Sequence, residues 1–386
     1  MAAYERIPYL IMFEEKGPYK DTYAGEIGKV VLKSHLLRPE NSTSSSVIIF
    51  MHPIGGGEYL PMPIALAKAG HHVIYCQSRY PNNDTALIME KVAVDMGACV
   101  RDAKQRLGYE KVILAGWSGG GSLSLFYQSQ AENPTVVATP AGELPNLTQQ
   151  DFIPADGIML LAAHVGRSHT MTHWMDASIL DELDPTKKDP ELDIYNPDNP
   201  NQPPYSTEFI RRYRDAQMAR NRRITAWVEN KLEEFRVAGK DKQEYGFVVH
   251  GTMADPKWLD SSIDPNDRKP GWCFLGEPEV VNNSPIGLAR FCTLRSWLSQ
   301  WSYDKSNADG IRCAAHVTVP ALVLGNSADD ACTPMDTDGL FNALASTDKQ
   351  RKEIIGANHY YFGQPELMKE AIEVVGEWLK GKGFSD

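Results

Sequence analysis

The stretch Lys111-Val112-Ile113-Leu114-Ala115-Gly116-Trp117-Ser118-Gly119-Gly120 decides how this sequence is interpreted. It joins an apolar, β-rich run, typical of a buried strand, to a G-x-S-x-G pattern, and a helical pattern follows over 122–130. Small residues are needed at positions 116 and 120, because such a tight turn presses them against the sheet and the helix. The turn aims the Ser118 hydroxyl at the helix N-terminus, which favours a developing negative charge. The pattern therefore predicts Ser118 as a nucleophile, with a purely structural Gly/Ser turn as the alternative.

Short apolar runs alternate with helical patterns on both sides of this stretch. The predicted strands are 47–51, 72–76, 111–115, 157–163, 319–325 and 352–356, and the predicted helices are 60–70, 85–107, 122–130, 337–345 and 365–380. Because most of the strand runs are continuously apolar, their strands should be buried on both faces, as in a parallel sheet with right-handed crossovers. The sequence therefore predicts an α/β fold whose mostly parallel sheet is flanked by helices.

This alternation stops between about residues 166 and 312. The segment is rich in Asp, Pro, Asn and Trp, and a charged helix is predicted over 208–238. Its tryptophans carry too much aromatic surface for a mobile linker. Five of them are Trp227, Trp258, Trp272, Trp297 and Trp301. We therefore expect a folded cap, 166–312, inserted after the sixth strand of a core domain formed by 1–165 and 313–386.

Two later strand ends supply a candidate acid and a candidate base for Ser118. Asp329 and Asp330 follow the strand at 319–325, and either carboxylate could fix the tautomer of an imidazole and stabilise its charged form. We favour Asp329, with Asp330 as the alternative acid. His359 follows the last predicted strand and completes the chain order serine, aspartate, histidine.

The sequence resembles the α/β-hydrolase superfamily over roughly 25–165 and 313–382. The resemblance is carried by the order of the strands, the G-x-S-x-G turn at Ser118, called the elbow, the late Asp329 and the terminal His359. The cap lies outside that likeness. The resemblance implies a Ser118-His359-Asp329 triad that works without a cofactor. A serine at the elbow argues against haloalkane dehalogenases and epoxide hydrolases, which, as the resemblance implies, attack through a carboxylate.

The resemblance also implies an oxyanion hole in which the backbone N–H of Gly119 is one donor. The second donor would come from the glycine-rich loop after Met51, which reads His52-Pro53-Ile54-Gly55-Gly56-Gly57. This loop departs from the His-Gly patterns common in esterases, because Pro53 has no N–H to donate. Ile54 or Gly55 must then supply it, and the sequence does not choose between them.

Three histidines follow the predicted strand at 157–163. His164, His169 and His173 have spacings that a metal site could use. No carboxylate or cysteine motif accompanies them, and we expect no metal. For His164 we expect a place in the lining of a pocket or at the hinge of the cap, and for the other two ordinary packing or surface positions.

Three further residues at strand ends are candidates for contact with a substrate. His52 begins the glycine-rich loop, and Trp117 lies beside the nucleophile. Arg79, at the end of the strand at 72–76, could clamp a substrate carboxylate or form a structural ion pair.

The composition limits the kinds of molecule that the protein is expected to bind. The chain has 386 residues and a formal net charge of -11, without the basic stripe that nucleic acids or anionic membranes require. The six cysteines are far apart and read as buried free thiols of a reducing cytoplasm. The apolar run at 9–13 is too short for a signal peptide or a membrane span. We expect a cytoplasmic protein that acts on a small molecule, and the sequence leaves a homodimer open.

The predicted function is hydrolysis of a carboxylic ester of a medium-sized, largely apolar small molecule through an acyl-enzyme. The order of the triad and the tryptophan-rich cap motivate it. The same triad could cleave a thioester, an amide or a carbon–carbon bond of a diketone. Outside catalysis, the alternative is a ligand-binding receptor that keeps the fold and uses the cap as a partner surface.

Overall fold

The computed structural model describes residues 3–17, 19–22, 25–55, 60–285 and 287–385. Its strands are β1 (Tyr4–Glu14), β2 (Lys29–Pro39), β3 (Ser46–Phe50), β4 (Val73–Cys76), β5 (Lys111–Ser118), β6 (Gly157–Ala163), β7 (Gly246–Val248), β8 (Phe291–Thr293), β9 (Ala321–Asn326) and β10 (Lys349–Ile354). Its α-helices are α1 (Pro61–Lys68), α2 (Met89–Gln105), α3 (Gly119–Glu132), α4 (Arg167–Trp174), α5 (Thr207–Val237), α6 (Pro278–Asn283), α7 (Leu294–Ser296), α8 (Gly310–Ala314), α9 (Pro334–Ala343) and α10 (Pro365–Gly381).

Eight strands form one sheet in the order β1-β2-β4-β3-β5-β6-β9-β10. From β4 to β10 every neighbouring pair is parallel, whereas β1 and β2 are antiparallel additions at one edge. Helices α1 and α10 pack on one face, and α2, α3, α8 and α9 pack on the other. Strands β3, β4, β6 and β9 are therefore buried along their whole length. The predicted mostly parallel sheet is confirmed, and each of the six predicted strands has its counterpart.

The first two strands were not predicted. In β1 the side chains alternate between the two faces, so that Ile11 is buried while Leu10 and Met12 are exposed. Leu10 and Met12 are apolar where the exposed face of an edge strand is usually polar, so the run 9–13 does not show the alternation that marks a strand with one solvated face. The run at 9–13, which we considered only as a leader or a membrane segment, is thus part of the sheet.

The chain between β6 and α8 forms a long segment whose main regular elements are helices, which we call the insertion. Its longest element is α5, with 31 residues, whose N-cap Ser206 accepts a hydrogen bond from Phe209 N–H. Three of the five tryptophans, Trp258, Trp297 and Trp301, are fully buried in apolar clusters of the insertion. The insertion is therefore folded, as predicted, and the domain boundaries at 166 and 312 stay a prediction.

The cysteines are all buried and none is bonded to another. In the ranges that the structure covers, no helix combines the length and the apolar character needed to cross a membrane.

Candidate active site

Ser118 lies at the tip of a sharp turn between β5 and α3. Its φ of 50° and ψ of -120° belong to a region that non-glycine residues rarely adopt. Residues held in such conformations persist only where the surrounding structure fixes them, and they cluster at reactive sites. Because α3 begins at Gly119, the half-buried Ser118 is the N-cap of a 14-residue helix.

The glycines around Ser118 are required by close backbone packing. A β-carbon added to Gly116 would overlap Gly120 O and Gly121 Cα, and one added to Gly120 would lie 2.6 Å from Met51 O. The turn therefore has no room for side chains at positions 116 and 120, for the reason that the sequence indicated.

We expect Gly116→Ala to destabilise the protein by about 3 kcal/mol, because backbone atoms of α3 cannot yield without moving the turn. Gly381→Ala, in the last turn of α10, is the matched control, since no atom lies within 4 Å of an added methyl group. Urea unfolding followed by circular dichroism compares the two variants. Equal stability of the two would contradict this steric explanation.

Asp329 and His359 meet beyond the ends of β9 and β10. His359 Nδ1 lies 2.7 Å from Asp329 Oδ2, and both side chains are buried. Asp329 Oδ1 accepts hydrogen bonds from the N–H groups of Ala331 and Cys332, at 2.8 and 2.9 Å. These two bonds fix the carboxylate, which in turn orients the imidazole.

Asp330 does not contact the imidazole in this way. Within the described residues its Oδ1 has no hydrogen-bond partner although it is buried. Burial, together with the neighbouring charge of Asp329, raises the pKa of Asp330 to about 6. Of the two candidate acids, Asp329 is therefore the one that the fold places against His359.

Cys332 links Ser118 to this pair. Burial raises the pKa of the Cys332 thiol well above its ordinary value, and the Ser118 side chain is near enough to lower it in part. Cys332 Sγ, a carboxylate oxygen of Asp329 and a ring nitrogen of His359 all lie within 4.8 Å of one another. Cys332 was not predicted as a site residue, because a lone cysteine three residues after an aspartate matches no motif.

The second ring nitrogen of His359 makes no hydrogen bond with Ser118. His359 Nε2 is buried and has no hydrogen-bond partner in the part of the chain that the structure describes. Asp329, Cys332 and His359 also have the spacing of a metal-ligand group. However, Asp329 already accepts three hydrogen bonds, which suits an orienting carboxylate of a triad.

Activity that depends on His359 as a base should fall as the pH drops. Burial disfavours the charged ring, but the charge and hydrogen bond of Asp329 outweigh it, with a further contribution from Asp330, and raise the pKa of His359. Since only the neutral ring takes a proton, kcat/KM should decline below a midpoint that lies above the ordinary histidine value of 6.5. Asp330→Asn removes one of the negative charges and should move that midpoint to lower pH. A midpoint that does not move, in pH-rate profiles of the two proteins, would contradict this electrostatic assignment.

The predicted second oxyanion donors are already engaged within their own turn. Ile54 N–H donates to His52 Nδ1 at 3.4 Å, and Gly55 N–H donates to His52 O at 2.9 Å. The remaining glycines of the loop, Gly56 and Gly57, lie outside the described residues. Gly119, as the first residue of α3, has an N–H without an intrahelical partner.

The three histidines after β6 have separate neighbours. A β-carbon added to Gly119 would lie 3.2 Å from His164 Nε2, so the ring of His164 packs against the turn at Ser118. His169 Nε2 lies 3.2 Å from Asp309 Oδ2, and its ring packs on Tyr303. Burial, followed by the charge of Arg214, lowers the pKa of His173 to about 3. Within the described residues the three do not come together as one metal-ligand group.

Trp117 contacts His359, whereas Arg79 is bonded to two carboxylates. The ring of Trp117 packs edge-on against His359, with centroids 6.2 Å apart. Arg79 is buried and bonds the carboxylates of Asp95, at 2.7 Å, and Glu15, at 2.6 Å. The Arg79 guanidinium thus has the arrangement of a structural ion pair, one of the two roles that the sequence left open.

The insertion is hydrogen-bonded to the loop that carries the acid, residues 327–333, which we call the acid loop. Trp258 Nε1 donates to Asp330 O at 2.7 Å, and Asn266 Nδ2 donates to Asp329 O at 2.7 Å. The ring of Phe274, also from the insertion, packs 6.0 Å from that of His359. Residues of the insertion therefore form one wall of the site.

A cavity of about 250 Å³ lies between the insertion and the core. Ala331 and Thr333, which flank Cys332, belong to its wall, whereas Ser118, Asp329 and His359 do not line it. Its wall combines apolar groups with ionisable ones. The apolar ones include Trp174, Ile263, Ile311 and Met335, and the ionisable ones include His173, Arg214, Lys257 and Asp336.

The sheet order, the turn at Ser118 and the insertion after β6 define an α/β-hydrolase fold. A highly thermostable carboxyl esterase from Bacillus coagulans, solved with glycerol, superimposes with a TM-score of 0.51 over 99% of this chain and 99% of that chain, at 12% identity. Two other solved structures match with lower TM-scores. They are the monoacylglycerol lipase of Paleococcus ferrophilus, at 17% identity and TM-score 0.42 over 87% and 94% of the two chains, and the esterase domain of a Rhodothermus marinus protein, at 12% and 0.46 over 97% and 98%. No protein-family profile and no curated protein matches the sequence.

Proposed function

We propose that this protein is a serine hydrolase that cleaves a carboxylic ester, or a related acyl bond, through an acyl-enzyme. The observation that carries the proposal is the buried 2.7 Å contact of His359 with Asp329, next to the strained turn at Ser118. A nucleophile, a base and an acid are the parts that acyl transfer requires, and Ser118, His359 and Asp329 offer these three side-chain types.

In the first half-reaction, Ser118 Oγ forms a bond to the acyl carbon and its proton passes to His359 Nε2. The electron pair of the carbonyl moves to its oxygen, which Gly119 N–H stabilises as an oxyanion. Asp329 stabilises the imidazolium through Nδ1–H. Collapse of the oxyanion then expels the alcohol, which takes the proton from His359. Water, activated by the same histidine, releases the acid and restores Ser118.

The cavity suggests a substrate of moderate size with one polar end. Its volume of about 250 Å³ lies below the ordinary range of small-molecule pockets, roughly 300 to 1,000 Å³. The aromatic and aliphatic part of the wall suits the largely apolar substrate that we expect. Lys257 adds a polar group to the wall of the cavity. Its buried ammonium donates hydrogen bonds to the neutral acceptors Ala331 O and Thr333 Oγ1.

Covalent labelling tests whether Ser118 is reactive. A fluorophosphonate probe should label folded wild-type protein at Ser118, and His359→Ala should lose that labelling because the serine is then no longer activated. Absence of labelling in folded wild type would contradict the hydrolase assignment and would favour the ligand-binding receptor.

A substrate panel separates the bond types. We expect turnover of p-nitrophenyl esters of graded chain length, with an optimum at medium length set by the cavity. Acyl-CoA thioesters, amides and β-diketones are tested beside them. Turnover of the diketone alone, in a protein that is labelled at Ser118, would replace ester hydrolysis by carbon–carbon cleavage.

A further inference from the structure

Two imidazole rings face the residue that follows the nucleophile. A β-carbon added to Gly119 would lie 2.9 Å from His52 Nε2 and 3.2 Å from His164 Nε2. His52 comes from the loop after β3 and His164 from the end of β6, so the strands on either side of β5 each contribute one ring. The mechanism above gives neither ring a task.

Backbone hydrogen bonds fix which nitrogen of each ring carries the proton. Ile54 N–H donates to His52 Nδ1 at 3.4 Å, and Gly166 N–H donates to His164 Nδ1 at 3.1 Å. A ring nitrogen that accepts a hydrogen bond has no proton, so a neutral ring must then carry its proton on Nε2. In both rings Nε2 is the atom that faces Gly119.

Both rings are neutral at physiological pH. Burial, followed by the charges of Arg167 and His359, lowers the pKa of His52 to about 3. Burial and the charge of Arg167 also lower the pKa of His164 well below its ordinary value. His52 and His164 therefore each present one Nε2–H donor, and neither brings a positive charge.

The same turn explains why a side chain would be needed as the second donor. The two backbone amides that follow Pro53, those of Ile54 and Gly55, donate to His52 Nδ1 and His52 O. The hydrogen bond that occupies the Ile54 amide is also the one that leaves His52 Nε2 protonated. In this arrangement a side-chain donor stands where the fold would otherwise use the backbone.

We propose that the Nε2–H groups of His52 and His164 complete the oxyanion hole opposite Gly119 N–H. This inference rests on the proposed acyl transfer at Ser118. As the acyl carbon becomes tetrahedral, its oxygen gains negative charge, and donors fixed in advance in a site of low polarity stabilise that charge without rearrangement. A neutral imidazole can serve as such a donor. Gly119 has to be glycine for the same reason, because a methyl group would push both rings away.

Asparagine and glutamine variants separate the donor from the support of the turn. Asparagine at position 52 or 164 keeps an acceptor near Nδ1, whereas glutamine keeps an N–H donor near Nε2. We expect His52→Asn and His164→Asn each to lower kcat for a p-nitrophenyl ester by about 100-fold, with KM nearly unchanged. The glutamine variants should recover most of the lost rate. Thermal unfolding of all four variants monitors folding.

An inhibitor that forms an oxyanion provides a readout independent of turnover. A trifluoromethyl ketone adds to the serine as a tetrahedral adduct, so its affinity should fall in the asparagine variants in parallel with kcat/KM. Binding of the product acid, which carries no tetrahedral centre, should change little.

Several outcomes would overturn the inference while leaving the hydrolase intact. They are an unchanged kcat in both asparagine variants, a loss that appears in KM alone, or glutamine variants as impaired as the asparagine ones. Each would make the histidines parts of the pocket wall. A wild-type protein that is neither labelled at Ser118 nor able to turn over any ester would instead remove the proposed function, and this inference with it.

Discussion

Replacing Ser118 with alanine is expected to lower ester hydrolysis by about 10⁵-fold and to abolish labelling by a fluorophosphonate. Without Oγ the protein has no group that can form the acyl-enzyme, and His359 has no hydroxyl to deprotonate. A small residual rate should remain, because the oxyanion donors can still assist attack by water. Steady-state kinetics and mass spectrometry of the labelled peptide measure the two effects.

Ser124→Ala is the matched control for this variant. Ser124 lies on α3, the helix whose N-cap is Ser118. It is fully buried, and its Oγ has no hydrogen-bond partner in the described residues. Its replacement should leave activity, labelling and stability close to wild type. If Ser118→Ala retained more than about a hundredth of the wild-type rate, the nucleophile would have to be another group.

Asp329→Asn is expected to lower kcat by about 10⁴-fold while the protein stays folded. The N–H groups of Ala331 and Cys332 both donate to Oδ1, so the amide oxygen of an asparagine would take that place. Its NH₂ group would then face His359 Nδ1 and force that nitrogen to accept. The ring proton would move to Nε2, toward Ser118, where a base is needed.

Asp330→Asn tests the neighbouring carboxylate with the same chemical change. Asp330 has no hydrogen bond to the imidazole, so we expect its replacement to change the maximal kcat by less than about threefold. Kinetics of the two variants, with thermal unfolding as the folding check, decide between them. A larger loss in Asp330→Asn than in Asp329→Asn would reverse the choice of the acid.

The sequence was sufficient for the central sheet and for the order of the candidate residues. Runs such as 112–115 and 157–163 are apolar throughout because their strands are covered on both faces, and this burial is what makes them recognisable. The edge strand β1 was not predicted, because Leu10 and Met12 place apolar side chains in the middle of its exposed face and hide the alternation.

Contacts between distant parts of the chain could not be predicted in this way. The choice between Asp329 and Asp330 depends on which carboxylate the acid loop turns toward His359, and adjacent residues look alike in a sequence. Likewise, the involvement of His52 and His164 depends on two rings that meet over Gly119 from separate strands. No local pattern records such a meeting.

The hydrogen bonds between the insertion and the acid loop have a consequence for how a substrate enters. Trp258 and Asn266 hold the backbone carbonyls of Asp330 and Asp329, the residues at the centre of that loop. If the insertion swung away as a rigid lid, it would have to break these bonds or pull the carboxylate away from its imidazole. In that case, the movement that admits substrate would also disturb the contact between Asp329 and His359. During a wide opening, His359 would lack its contact with Asp329, and Ser118 would be exposed to water without an oriented base.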